Sequence, residues 1–199
     1  MIAGRSYHVH KKAIRALGIS ESFTKGLSEK SVLAGVVMRS DMVIDGFVFS
    51  TATVGGMDAT QKIIEMYESL GRADLNVVLL NGCVISWYNV VDLHEVAEKT
   101  QLPLICVTYE ESEGLEKYFM KFFPEDWRIR VETYRKNRAR TPLELRTGHT
   151  VFVRFINIDE QEARVTLDKF TVHGSIPEPL RVARLAARSV SRVFDRELH

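Results

Sequence analysis

The apolar positions change period partway along the chain. Residues 14–20 (IRALGIS), 31–38 (SVLAGVVM) and 47–54 (FVFSTATV) are short, apolar or β-branched stretches with no helical spacing between them. The second is nearly continuous, as for a strand buried on both faces, and the third alternates. Three strands in succession predict an antiparallel meander. The period shifts at GGMDAT, where two glycines break the third strand. Asp58 is placed to N-cap a helix to about residue 70, with Ile63, Ile64, Met66, Tyr67 and Leu70 at helical spacing. Residues 76–80 (NVVLL) and 104–109 (LICVTY) read as buried parallel strands, with a helix over 89–100 between them and Pro103 beyond its end.

The remainder is less regular. The spacing predicts a helix over about 114–123, another after Pro124, and a small hairpin from 143–146 and 150–156 around Thr147-Gly148. Residues 159–169 fit either type, helix slightly better. Residues 178–195 predict a helix opened by Pro177 and Pro179. Along it Arg181, Arg184, Arg188, Arg192 and Arg196 recur at three- and four-residue spacing, while Val182, Leu185, Ala186 and Val193 fall on another side. Such a stripe tracks a phosphate backbone or is a solvated amphipathic face.

Composition adds bounds. The chain has 199 residues, 45% hydrophobic and 27% charged, which fits one domain over 1–199 with a proper core. No apolar run approaches a membrane span, and the N-terminus lacks the apolar stretch of a secretory signal. Two cysteines, Cys83 and Cys106, read as reduced thiols in a cytoplasmic protein. The net charge of +1 is uninformative, but Trp127–Arg154 holds eight cations against two acids, either a phosphate-facing patch or a basic solvated surface.

With the first, third, fourth and fifth strands parallel, four loops meet at one sheet edge: Ser20-Glu21, Gly55–Asp58, Asn81–Cys83 and Tyr109–Ser112. Ligands of open α/β sheets bind at this carboxyl edge. Asp41 and Asp45 lie at the opposite edge as turn residues. The chemistry suited to the edge is metal-assisted phosphodiester hydrolysis, with Glu21, Asp58 and Asp92 as candidate carboxylates. Each has a plain structural alternative: a solvated loop acid, a helix cap, and a first-turn acid favoured by the helix dipole. A Cys83–His94 nucleophile–base pair and a His8–His10 metal pair are weaker candidates.

The stretches ALGIS, VLAGVVMRSDMVIDGF, VGGMDATQKI, VVLLNGCVISWYNVVDL, TQLPLICVTYE and GSIPEPLRVARLAA span almost the whole chain in order. Together they resemble an archaeal family related to endonuclease V, some members of which are described as deoxyuridine endonucleases. The resemblance implies an α/β, ribonuclease-H-like mixed sheet: three antiparallel strands, then two parallel strands reached through helices, followed by C-terminal helices and a small hairpin. It implies a Mg2+- or Mn2+-dependent endonuclease acting on DNA with a deaminated base, deoxyuridine or deoxyinosine. Glu21 and Asp58 would hold metal, with Asn81 behind them or as a neutral ligand, and Asp92 as a further catalytic carboxylate. Trp87 and Tyr88 would stack on or wedge beside an extruded base, and Arg181, Arg184 and Arg188 would hold phosphates. The family's LGI stretch commonly continues with two acids and its fourth-strand loop with aspartate–glycine. Here those positions are Ser20, Glu21 and Asn81. Neutral oxygens bind magnesium more weakly than carboxylates, so the alternative is a nucleic-acid-binding module of the same fold that does not cut.

Overall fold

The computed structural model describes residues 13–26 and 28–197, with side chains as far as 194. Three strands, β1 (Arg15–Ser22), β2 (Lys30–Arg39) and β3 (Ile44–Thr53), form the antiparallel meander. Helix α1 (Ala59–Ser69) leads to β4 (Val77–Asn81), which pairs parallel to β1. Helix α2 (Leu93–Thr100) leads to β7 (Leu104–Thr108), parallel to β4. Between β4 and α2 lies a two-stranded ribbon, β5 (Val84–Ile85) and β6 (Asn89–Val90). The spacing predicts a helix from Asn89; instead Asp92 caps the helix and Asn89-Val90 are extended.

Helices α3 (Glu116–Phe122) and α4 (Trp127–Lys136) follow, then β8 (Thr141–Glu144) and β9 (Thr150–Ile156). The expected hairpin is not a free appendage. β9 pairs antiparallel with β7, extending the sheet to seven strands in the order β3-β2-β1-β4-β7-β9-β8. The ambiguous segment is helix α5 (Glu160–Phe170), opened by a capping box between Asp159 and Glu162. Helix α6 (Glu178–Glu197) ends the described chain.

Alternation along β1 sorts the two faces. Leu17 and Ile19 pack with Ile63, Val96 and Ala97 under α1 and α2. Ile14 and Ala16 pack with Val77, Leu79, Leu167, Phe170 and Leu180 under α5 and α6. The α6 face that reaches the sheet runs through Leu180, Ala183 and Ala187, while Leu185 and Val193 stay exposed. Of the apolar side read from sequence, Val182 and Ala186 pack beside that face whereas Leu185 and Val193 do not, and the reason is size: small residues let the helix backbone approach. The approach is closest at Gly18, where a Cβ would stand 2.5 Å from the Pro179 Cβ. No helix among the described residues is long and apolar enough to cross a membrane.

Candidate functional site

β1, β3, β4 and β7 run in one direction, so their carboxyl ends share an edge, as the sequence implied. At that edge Ile19 pairs with Leu80, and the next step of the register sets Ser20 beside Asn81. Both follow the alternation toward α6. Ser20 is buried, and its Oγ donates to the Leu180 carbonyl at 3.0 Å, fastening the start of α6 to the end of β1.

Glu21 points the other way, toward the α1 side. Burial pushes its carboxyl above the usual range, and the Ser86 backbone N–H pulls it partly back. Its Oε2 is buried without a hydrogen-bond partner.

Asp58 sits at the N-cap position of α1, yet its side chain makes no capping bond. Both oxygens reach back to the end of β3. They accept from the Thr53 N–H at 3.0 and 3.1 Å, from Thr53 Oγ1 at 2.8 Å and from Asn89 Nδ2 at 2.8 Å. Burial raises the carboxyl, but these donors outweigh it and hold Asp58 below its usual range. Asn89 is itself buried and completes the tie, accepting from the Ala59 N–H and donating to the Thr53 carbonyl.

Asp92 caps α2, accepting from the His94 and Glu95 N–H groups, and forms an ion pair with Lys136. Burial is again outweighed by these partners, and its carboxyl is lowered. His94 meets the Lys136 carbonyl, whereas the Cys83 sulfur accepts from Arg154, so the proposed Cys83–His94 pair is not assembled. His8 and His10 lie outside the described residues.

The turn between β5 and β6 is strained. Ser86, Trp87 and Tyr88 hold φ of 47°, 55° and 70°, left-handed values that non-glycine residues rarely adopt. The clamp on this turn is Arg130, one of the eight cations of the basic Trp127–Arg154 run, and it is neither phosphate-facing nor solvated. It is 3% exposed. Its guanidinium donates to the carbonyls of Gly55 (2.8 Å), Gly56 (2.9 Å) and Tyr88 (2.8 Å), pairs with Asp126, and lies 3.8 Å over the Phe123 ring. Ser86 also accepts from the Gly55 N–H, so the β3 loop and the β5–β6 turn are one unit. Tyr88 is enclosed by Tyr118, Phe119, Phe122 and Phe123. Trp87 is half-buried against Phe122 and Phe123 and lines a groove with Thr53, Val54 and Lys25, whose ammonium lies 6.0 Å from its ring.

Beyond Asn81 a cavity of about 370 Å³ opens between the β4 and β7 loops, lined among others by Cys83, Tyr109, Arg140 and Arg154. The Tyr109 hydroxyl is buried without a partner. Burial raises its pKa, and the charges of Arg184 and Arg181 oppose the shift. Arg184 and Arg188 are exposed on α6; Arg181 is partly spent on Glu178 and on the His173 and Ile176 carbonyls. The Arg196 side chain lies outside the described residues.

These donors do not suit a divalent-metal centre. Among the described residues no three His, Cys, Asp or Glu side chains converge as a metal would require. Ser20 and Asn81 are neutral, the Asp58 oxygens are held by the scaffold, Asp92 is engaged at α2, and Glu21 faces away from Ser20 and Asn81. Sequence reasoning missed Arg130, Asn89 and Asn137, whose roles are long-range. Asn137, for instance, accepts from the Leu93 N–H and donates to the Val91 carbonyl across more than forty residues of chain.

Comparison with known proteins agrees with the geometry of the sheet. A family model described as Endonuclease dU matches residues 12–191. A UPF0215 protein of Pyrobaculum calidifontis is 35% identical over 180 residues, covering 90% of this chain and 98% of the relative. Among solved structures, a protein of unknown function from Archaeoglobus fulgidus superimposes with a TM-score of 0.77 at 24% identity, over 89% of this chain and 98% of that one. Endonuclease V of Ciona intestinalis, in complex with a 24mer DNA containing an inosine followed by a ribo-adenosine, superimposes with a TM-score of 0.62 at 16% identity, over 92% of this chain and 88% of that one. At these identities the likeness is one of fold, the ribonuclease-H-like sheet expected from the sequence.

Proposed function

The chain belongs to the Endonuclease dU family, and within that family we propose that it engages DNA at the carboxyl edge of its sheet without a complete divalent-metal centre there. The observation that carries this reading is the pair Ser20 and Asn81. They stand side by side at the ends of β1 and β4, where two neutral side chains offer a metal ion no charge, while the nearby Asp58 is already bonded to Thr53 and Asn89. What remains suits a strand of nucleic acid. The exposed guanidiniums of Arg184 and Arg188 on α6 contact phosphates. Trp87, half-buried on its clamped turn beside Lys25, offers a ring face to an unstacked base, and Tyr88 supports it from within the aromatic cluster. The ligand class is DNA with an extruded deaminated base, deoxyuridine or deoxyinosine, a base that costs less to unstack when mispaired.

Fluorescence anisotropy with labelled single strands and with duplexes containing one deoxyuridine or deoxyinosine tests this directly. Affinity falls steeply with salt, and Arg184→Ala with Arg188→Ala lowers the salt slope by about 1–2. Salt-independent or absent binding contradicts the reading.

A second reading has one observation in its favour. The unpartnered Oε2 of Glu21 is a buried carboxylate oxygen with nothing to satisfy it, and a Mg2+ or Mn2+ ion is the kind of group that would. On that reading the chain is a metal-dependent endonuclease with an altered ligand set. Its mark is metal-dependent nicking of the same duplexes.

A further inference from the structure

Arg154 lies within β9 with 6% of its surface exposed. A buried guanidinium requires an opposing charge or dense hydrogen bonding. Its Nε donates to the Arg138 carbonyl at 2.8 Å, and its plane lies 5.0 Å from the Tyr134 ring. The groups beside it are the thiols of Cys83 and Cys106 and the Tyr134 ring. Nη1 donates to the Cys83 sulfur at 3.4 Å, and Cys106 is the cross-strand partner of Arg154 in the β7–β9 ladder, so both cysteines lie beside one guanidinium.

Two buried thiols beside one buried cation differ from two thiols that merely fill a core. The arginine favours the anionic form of Cys83, the nucleophilic form. Cys83 follows Gly82, whose φ of 84° turns the chain after β4, whereas Cys106 lies within β7. Cys83 and Arg154 line the cavity at the β4–β7 edge, which gives a small reagent a route to the sulfur.

We propose that Cys83 and Cys106 are an oxidisable dithiol, with Cys83 attacking hydrogen peroxide that enters this cavity and Cys106 closing an intramolecular disulfide. In the first step the Cys83 thiolate attacks one peroxide oxygen. The O–O bond breaks, a sulfenic acid forms, and the departing hydroxide takes up a proton to leave as water. In the second step the Cys106 sulfur attacks the Cys83 sulfur, the S–O bond breaks, and the departing hydroxide takes the Cys106 proton. The two thiols lose two electrons, the peroxide gains them, and water is the only other product. The inference stands on the buried cluster and does not depend on DNA binding.

The test is intact-protein mass spectrometry of the full chain after hydrogen peroxide, with free thiols alkylated after unfolding. The expected product has lost two hydrogens, takes up no alkylating reagent at either cysteine, and regains both thiols on reduction. Cys83→Ser abolishes it. Cys106→Ser instead leaves a sulfenic acid at Cys83 that dimedone captures. Arg154→Met slows oxidation about tenfold. Loss of a buried arginine threatens the fold, so Cys106→Ser, which retains Arg154, tests Cys83 independently. The proposal is overturned if both thiols survive peroxide that oxidises the unfolded chain, or if each cysteine is over-oxidised separately with no disulfide.

Discussion

Asn89 donates its Nδ2 hydrogen to Oδ1 of Asp58 at 2.8 Å, across thirty-one residues of chain. That bond, with the three from Thr53, makes Asp58 the tie between β3, α1 and the β5–β6 ribbon. Asp58 is the residue the GG-x-D-A-T motif singles out, and its oxygens face the scaffold.

Asp58→Ala is therefore expected to destabilise the protein, by about 2–3 kcal/mol, because the Thr53 N–H and the Asn89 amide lose their acceptor inside the fold. The pH dependence has a definite sign. A carboxyl held below its ordinary value stabilises the fold above its unfolded pKa, and that contribution is lost as pH falls through the folded value. Urea unfolding at pH 7 should separate the variant from the wild type, and the gap should narrow in strong acid. An equal gap at both pH values contradicts the assignment.

Arg130→Met removes the donors that hold Gly55, Gly56 and Tyr88 and leaves their carbonyls and Asp126 without them. Removing a buried charged donor from three carbonyls costs about 3 kcal/mol. The expected outcome is a large fall in the unfolding midpoint together with a changed Trp87 fluorescence, since the strained turn that carries Trp87 loses its clamp. Arg128→Met, on the same helix but exposed over the Trp127 ring, should leave the unfolding midpoint nearly unchanged.

The contrast between Arg128 and Arg130 shows where the sequence stops being legible. Both stood in one basic run, and nothing in their spacing separates a solvated cation from one locked under three loop carbonyls, because those carbonyls lie more than forty residues away. The strands and their shared edge were readable since periodicity and the turn residues are local signals. The place of β9 against β7 was not, as pairing depends on which edge is free after the sheet has formed. The capping box of α5 was readable in principle, from Asp159 and Glu162 three residues apart, but the helix spacing beyond it was weak. At the candidate site, the neutral residues 20 and 81 were visible in the sequence. That Glu21 and Ser20 project to opposite faces follows from β1 alternation once the strand is seen to run to Ser22.

Glu21→Gln should have the opposite pH signature to Asp58→Ala. A carboxyl raised by burial binds its proton more tightly in the folded state, so it contributes stability below its unfolded pKa and loses it as pH rises through the folded one. The neutral amide avoids that loss. The variant should melt higher than the wild type at pH 8 and show little difference at pH 4. A variant less stable at pH 8 would mean that Glu21 is ionised and held by a partner cation.

The central claim is that this edge binds DNA without a carboxylate-held metal. The measurement that tests it most directly is a cleavage assay on an end-labelled duplex carrying one deoxyuridine or deoxyinosine, in Mg2+ and then Mn2+, with protein in excess over its binding midpoint. The account predicts a retained, salt-sensitive complex in which the strand stays intact with either metal. Nicking that requires the metal and disappears in a folded Asp58→Ala or Glu21→Gln variant would contradict it, and would give the edge to metal-dependent hydrolysis.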